Sequence, residues 1–524
     1  MELEGKLAAQ TVSRILELSS SEAKWNRRLW RTGTLQLGRE FLGQVVDPST
    51  SVKSKGELAK HLRDAFRNDP GVKSINSDVQ ACLSEIGNSS SRSSHAWLML
   101  QKLLEQADRE YLASWQAHIE GCEDFEPEGC ARRLTSHLVD VGYNKQSIHS
   151  WLRSADEGNK RSVLIEFVSE AGKRIAKKSS FTFCVPVANM PKFRRQSGQK
   201  WLTASQTLAW KKENAPEAER IRHQGSFVLE VEAFEINGAL ERARSQIFDL
   251  QCQFDLGCRQ ELKICDQMWS AEKAQSYPTQ NRNRHIEVKT LAIQNRDKDL
   301  ELPAYIGSTL SLIHPLRTSP PHLALSTGWT AVESLLTSED DQDKSVAAGR
   351  FALIIAVSLV RAELTQQAWT YANQFEDELA QNIRGAEDNL TRTKLYQQLV
   401  MGPAFPVFEH PADQLAVSRM ADLLADPPAV LLRTKLIIER ELLRLYRKRN
   451  QVVHGGETRD DSLFSASELV SPLISAGMDR IVYVGLRYGV APMDLSARLN
   501  VSLSTYSLGR AFARHDVLEA FECG

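Results

Sequence analysis

The 524-residue sequence predicts an α+β, mostly α protein: a helical N-terminal region, a mixed α/β middle domain and a C-terminal helical bundle. Three observations predict it. Apolar residues recur at helical spacing over most of the first 135 positions and again from about Pro320 onward. Between these stretches stand short runs rich in β-branched and aromatic residues. Pro303, Pro315, Pro320 and Pro321 punctuate the return to helix. The expected division is 1–135, 136–305 and 306–524. It agrees with the ~150 residues per domain usual for a chain of this length.

In the first region, residues up to about 85 read as helical. The polar segment Gly87-Asn88-Ser89-Ser90-Ser91-Arg92-Ser93-Ser94 breaks the pattern. A helix follows over His95–Ile119, with Leu98, Leu100, Leu103, Leu104, Tyr111 and Leu112 at helical spacing. In the middle region, Val163–Val168, Phe181–Val187, Phe227–Phe234 and Ile286–Leu291 read as strands. Asn237 can cap a helix whose Leu240, Ala243, Ile247, Leu250 and Phe254 form one apolar face. The last region carries candidate helices at Pro321–Leu336, Val346–Phe375, Gln414–Leu424, Ala429–His454 and Ser467–Tyr488, and in pieces over Met493–Phe521.

Composition narrows the classes of function. Hydrophobic residues are 42% and charged residues 25%, too balanced for a wholly disordered chain. The net charge of −1 excludes a cationic nucleic-acid coat, so any nucleic-acid site must be a local patch. The most apolar stretch, Phe351–Val360, lies between Arg350 and Arg361 and falls short of the ~20 residues a membrane span needs. The opening MELEGKLAAQ lacks the basic-then-apolar pattern of a secretory signal. The eight cysteines (Cys82, Cys122, Cys130, Cys184, Cys252, Cys258, Cys265 and Cys523) form no CxxC and lack zinc-finger histidines. Reduced thiols in a cytoplasmic protein without cofactor or metal are the expectation.

One segment stands apart: Ala429 to His454, preceded by Pro427-Pro428 and followed by Gly455-Gly456, starts and stops like a helix. From Arg433 to Arg449 it holds seven basic and two acidic residues. Arg433, Arg440, Arg444 and Arg447 cluster on one side. With Leu436 at 0° and 100° per residue, Leu431, Ile438, Leu442, Leu445, Tyr446 and Val453 fall at roughly 180–280°. Arg449 falls inside this seam, at about 220°. A second seam of Leu432, Leu436 and Leu443 is continued by Asn450 at about 320° and His454 at about 0°. Polar groups where apolar seams end are costly unless paired or functional. Two seams on one helix suggest burial on two sides, for example against its own bundle and against a second copy.

Arg449-Asn450-Gln451-Val452-Val453-His454 matches the R-x(4–6)-H motif of the HEPN family (higher eukaryotes and prokaryotes nucleotide-binding). The surrounding LLRLYRKRNQVVHGG resembles the Apea-like abortive-infection branch, as does LSTGWTAVESLL at Leu325–Leu336. The resemblance covers roughly Pro320 to Tyr488 and makes the C-terminal bundle HEPN-like. It implies a metal-independent endoribonuclease with no cofactor. His454 would be the general acid or base. Arg449 would steady the phosphorane, and Asn450 would orient the phosphate or the imidazole. It also implies a homodimer through the C-terminal helices, with Arg440, Arg444, Arg447 and Lys448 lining the cleft and holding RNA. Glu333, one turn after Trp329, could pair with Arg449. The role implied is an antiphage or toxin-like effector, with residues 1–300 holding the nuclease silent until a trigger or antitoxin partner acts.

R-x4-H also occurs at Arg132…His137, where a well-formed helix is not evident, and at Arg510…His515, where no polar residue follows the arginine. A rival reading takes Glu287-Val288-Lys289, on the expected strand, as the E-x-K of a Mg²⁺-dependent PD-(D/E)xK nuclease, with Asp255 or Asp266 upstream. Its plainer alternative is an exposed strand face with a cross-strand ion pair. A third reading is a HEPN-like module that binds RNA or a partner without cutting. The basic runs Lys173–Lys178 and Lys192–Arg195 read better as solvated loops than as nucleic-acid contacts. P-loop, HExxH and GxSxG motifs are missing.

Overall fold

The computed structural model describes residues 2–507 and 518, except 49, 87–90, 123, 155–159, 190–199, 258–260, 281–283, 285, 295–301, 403–404, 457 and 459. The fold is α+β and mostly α. The first helices are α1 (Glu2–Ser19), α2 (Thr34–Val46), α3 (Val52–Arg67), α4 (Asn76–Glu85), α5 (His95–Gly121), α6 (Pro127–Val141), α7 (Lys145–Ser154) and α8 (Lys160–Ile175). One core joins them, with Leu100, Tyr111, Trp115, Leu134 and Leu164 buried together. Buried Asp69 anchors it by accepting from the Tyr111 hydroxyl (2.8 Å), the Trp115 indole (3.1 Å) and the Gly71 amide (3.0 Å).

Val163–Val168, expected as a strand, belongs to α8. Its buried residues Val163, Leu164, Phe167, Val168 and Ala171 sit at helical spacing, and a short apolar run alone does not separate the two conformations. The helical core therefore runs on to about residue 175.

The sheet follows. Its strands are β1 (Ser179–Val187), β2 (Lys200–Thr203), β3 (Gly225–Ala233), β4 (Gln267–Ser270) and β5 (Gln275–Pro278), in the order β2-β3-β1-β4-β5, all pairs antiparallel. Side chains alternate as a pleat requires. Phe183, Val185, Phe227 and Leu229 face the apolar side of α10 (Ile236–Gly257), where Leu240, Ala243 and Ile247 meet them. Cys184, Leu202 and Trp269 turn to the other face, next to α9 (Ala204–Asn214). A reciprocal cap between Thr203 and Gln206 starts α9.

Ile286–Leu291, also expected as a strand, is not one. Glu287 exchanges backbone hydrogen bonds with the Ser475 hydroxyl (3.0 and 2.6 Å), and Lys289 opens the short helix α11 (Lys289–Gln294). The chain then forms α12 (Ala304–Ile313), α13 (Pro321–Leu336), α14 (Val346–Gln374), α15 (Glu378–Gly385), α16 (Asn389–Val400), α17 (Pro411–Ala425), α18 (Pro427–Gly455), α19 (Asp461–Tyr488) and α20 (Pro492–Ser507).

Helix α14 is apolar around much of its circumference, because other helices surround it. Gly477 of α19 lets α14 approach: a Cβ there would lie 2.3 Å from the Phe351 ring. By length and composition α19 could cross a membrane, yet 83% of its apolar window is buried inside the fold, so here it is a core helix of the bundle. The six described cysteines carry free thiols.

The first helical core and the bundle meet through buried charge. Arg27 bonds Glu363 (3.0 Å) and Asp413, while Glu128 holds both Arg14 (2.8 Å) and Arg419 (2.9 Å). A charged contact of this kind is costly to leave half-made, so it holds the two parts in one register.

Candidate functional site

Helix α18 carries the candidate residues. Asp426 caps its start by accepting the Ala429 amide (3.2 Å), and Gly456, left-handed at φ 64°, ends it by donating its amide to the Val452 carbonyl (3.2 Å). The first apolar seam is buried as expected, with Leu431, Ile438, Leu442 and Leu445 all at or below 1% exposure. The second is not covered within one chain: Leu432 and Leu436 are 46% and 47% exposed. Val453, placed on the first seam, is also exposed, in the open last turn.

At the end of these seams Arg449 is half-buried and its Nη1 donates to Asn450 Oδ1 at 3.0 Å. His454 is exposed in the last turn and has no hydrogen-bond or ion-pair partner among the described residues. Positions 449 and 454 stand about 7.5 Å apart along a regular helix axis and about 140° apart around it. Asn450 and His454 are only about 40° apart. The helix thus groups Arg449 with Asn450, and Asn450 with the side of His454, while guanidinium and imidazole leave on different sides.

The basic flank does not form the exposed row expected of it. Arg444 is buried, and its guanidinium bonds Glu40 of α2 (2.7 Å) and Ser465 (3.2 Å). Lys448, also buried, reaches Asp460 (2.9 Å), the Ser462 hydroxyl (2.5 Å) and Glu40 (3.7 Å). Arg440 pairs with Asp64 of α3 (3.1 Å). Helices α2 and α3 cover this face, so Arg444 and Lys448 cannot line an RNA cleft in this arrangement. Arg447 alone of the four has no hydrogen bond or ion pair among the described residues, and burial pushes its pKa down.

The opposing residues come from the N-terminal region. Burial favours a neutral Glu40 carboxyl, but Arg444 and Lys448 outweigh it and bring the pKa to about 2. Glu441 accepts the Thr32 amide (2.9 Å) and hydroxyl (2.7 Å), and burial holds its pKa up. Asp140 accepts the Gly33 amide (2.7 Å), and burial raises its pKa to about 6. Sequence reading missed these residues. The available signal was a carboxylate inside the apolar TLQLGREFLGQVV of α2, which predicts a buried cation opposite it.

Glu333 does not pair with Arg449. It accepts the indole N–H of buried Trp329 (2.9 Å), whose ring packs on Tyr446 at 4.9 Å. This makes Glu333 an anchor within α13. Arg132 and His137 do lie on a well-formed helix, α6, but Arg132 pairs with Glu128 and His137 is buried against Tyr111, its pKa lowered by burial to about 4. Arg510…His515 falls outside the described residues.

The metal-nuclease alternative loses its frame. Glu287 and Lys289 are exposed and off the sheet, Asp255 sits on α10, and Asp266 precedes β4. Lys173, at the end of α8, is exposed and faces Glu170 (3.8 Å), while 192–195 lies outside the described residues.

A cavity of about 130 Å³ opens beside Arg447 and Asn450, walled on the far side by Gln44, Asp47, Thr50, Ser51 and Ser54 of the N-terminal region. Compared with known proteins, the chain matches no family model, no curated protein and no solved structure.

Proposed function

We propose that the chain is a metal-independent endoribonuclease of HEPN type, working in the cytoplasm as a toxin-like abortive-infection effector. The observation that carries the reading is the contact of Arg449 with Asn450 at the open end of α18, one turn before an exposed and uncommitted His454. A histidine moves protons near neutral pH. A guanidinium offers a fixed fork to the oxygens of a phosphorane. In the proposed reaction the ribose 2′-oxygen bonds to phosphorus and the P–O5′ bond breaks. The 2′ proton leaves to a base, the O5′ leaving group gains a proton, and the products are a 2′,3′-cyclic phosphate and a 5′-OH.

One chain holds Arg449 and His454 on different sides of the helix, so a complete set calls for a second copy facing the first. Leu432 and Leu436, apolar and about half exposed on the side that leads to His454, support a homodimer contact there. The charged contacts of α2 and α3 with α18 support a regulatory role for the N-terminal region, since a trigger or antitoxin partner that moved it would take Asp64 from Arg440 and Glu40 from Arg444 together.

Purified parent, Arg449→Ala and His454→Ala proteins, incubated with total RNA, test the reading. Cleavage should fall about 10²- to 10⁴-fold in each variant and persist in EDTA. Cleavage equal to the parent in either variant overturns the assignment. A second reading, binding without cutting, draws on the absence of any partner orienting the His454 ring among the described residues. RNA retained intact by the parent protein decides for it.

A further inference from the structure

We infer that the cavity between Gln44, Thr50, Ser51 and Ser54 on one side and α18 on the other is a seat for a phosphate group, built jointly by the N-terminal region and the candidate catalytic helix. The argument is a surplus of hydrogen-bond donors. Gln44 is only 4% exposed, and its Oε1 is taken by the Thr50 hydroxyl (2.7 Å), which leaves its amide N–H groups without an acceptor among the described residues. The Oδ1 of Asn450 is taken by Arg449, which leaves the Asn450 amide N–H groups for the cavity. Arg447 lines the same space with no hydrogen bond or ion pair among the described residues, the nearby carboxylates of Glu40, Glu441 and Glu57 acting on it only at longer range.

These donors open onto the cavity rather than onto protein acceptors, and their natural complement is a ligand rich in acceptor oxygens. The fourth wall adds to this. Ser51 caps α3 by accepting the Ser54 amide (3.2 Å) and donates its own hydroxyl to Ser54 Oγ (2.9 Å), so the Ser54 hydroxyl proton is uncommitted beside a helix N-terminus.

Two carboxylates, Asp47 and Asp343, also line the space. Asp343 is exposed and accepts the Ser345 amide (2.9 Å), and Asp47 is half-buried. The volume equals roughly four waters, enough for a phosphodiester group. Assigning that group to an RNA strand rests on the ribonuclease reading, since Asn450 is shared by the seat and the candidate site. A free phosphate compound offers the same chemistry.

The test uses the full chain and a fluorescent 2′-deoxy oligonucleotide, which binds but lacks the attacking hydroxyl, titrated over a range of salt. Inorganic phosphate is titrated in parallel. Arg447→Gln should bind the strand about tenfold more weakly, with a log affinity–log salt slope smaller by about 0.7, the loss of one phosphate contact. Arg447→Lys should keep the slope. Gln44→Glu should weaken binding without touching α18, and thermal melting checks that each variant is folded. Unchanged affinity and slope in both Arg447→Gln and Gln44→Glu overturn the seat. Inorganic phosphate binding that needs Arg447, beside strand binding that does not, overturns the strand and supports a free phosphate ligand. The deoxy strand is never cut, so this result stands or falls apart from whether His454 cleaves RNA.

Discussion

Arg444 of α18 and Glu40 of α2 lie 2.7 Å apart, 3% and 6% exposed, and so join the candidate catalytic helix to the N-terminal region by a buried ion pair. Removing Glu40 strands Arg444 and takes from Lys448 one of its two carboxylates, the other being Asp460. Glu40→Ala should cost about 3–5 kcal/mol. The paired Glu40→Leu/Arg444→Met variant should lose much less, because Arg444 is not left as an unpaired buried charge and Lys448 keeps Asp460. Urea unfolding measures both. The Glu40 carboxyl is depressed from 4.5 to about 2, so its contribution is complete above pH 4.5 and fades as pH falls toward 2.

Asp140 has the opposite sign. Its pKa is raised from 3.8 to about 6, so between these values the folded state holds the proton more tightly than the unfolded chain. The stability linked to this proton is complete below pH 3.8 and is lost as pH rises through 6. Asp140→Asn keeps an acceptor for the Gly33 amide and never ionises. It should stabilise the protein at pH 7.5 by roughly 2 kcal/mol and have no effect near pH 4. Equal melting shifts at both pH values would refute this.

Leu436 tests the second copy. It is 47% exposed, so Leu436→Glu should leave the melting temperature close to the parent's. If this row is the dimer contact, the variant should sediment as a monomer and lose RNA cleavage together with dimerisation. A dimer that persists in Leu436→Glu and Leu432→Glu would move the interface elsewhere.

Glu333 separates anchoring from chemistry. Glu333→Ala leaves the buried Trp329 indole N–H without its acceptor, a loss of about 1–3 kcal/mol. Cleavage per folded molecule should stay within twofold. A large fall in cleavage at unchanged stability would show that Glu333 acts on Arg449 through the field after all.

Much of the helical framework was legible because it is local. Pro321–Leu336 and Ala429–His454 carry their own start and stop signals, and the structure ends α18 on the two glycines that the sequence shows there. The errors share one cause. VLIEFV and IEVKTL are short apolar runs whose residues satisfy either period, and only their neighbours decide: α8 packs into the first core, and Glu287 and Thr290 are tied to Ser475 and Asp479 of α19.

The site divides the same way. The sequence by itself determined that an arginine, an asparagine and a histidine would stand where the seams of one helix end, because helical angles follow from spacing alone. Tertiary structure alone decided which cations are spent. Arg444 and Lys448 form ion pairs with Glu40, some four hundred residues away in the chain, and Arg447 forms none among the described residues. Spacing places a side chain on its helix, but what it faces depends on which distant segment covers it, and burial beside an opposite charge turns a surface cation into part of the interior.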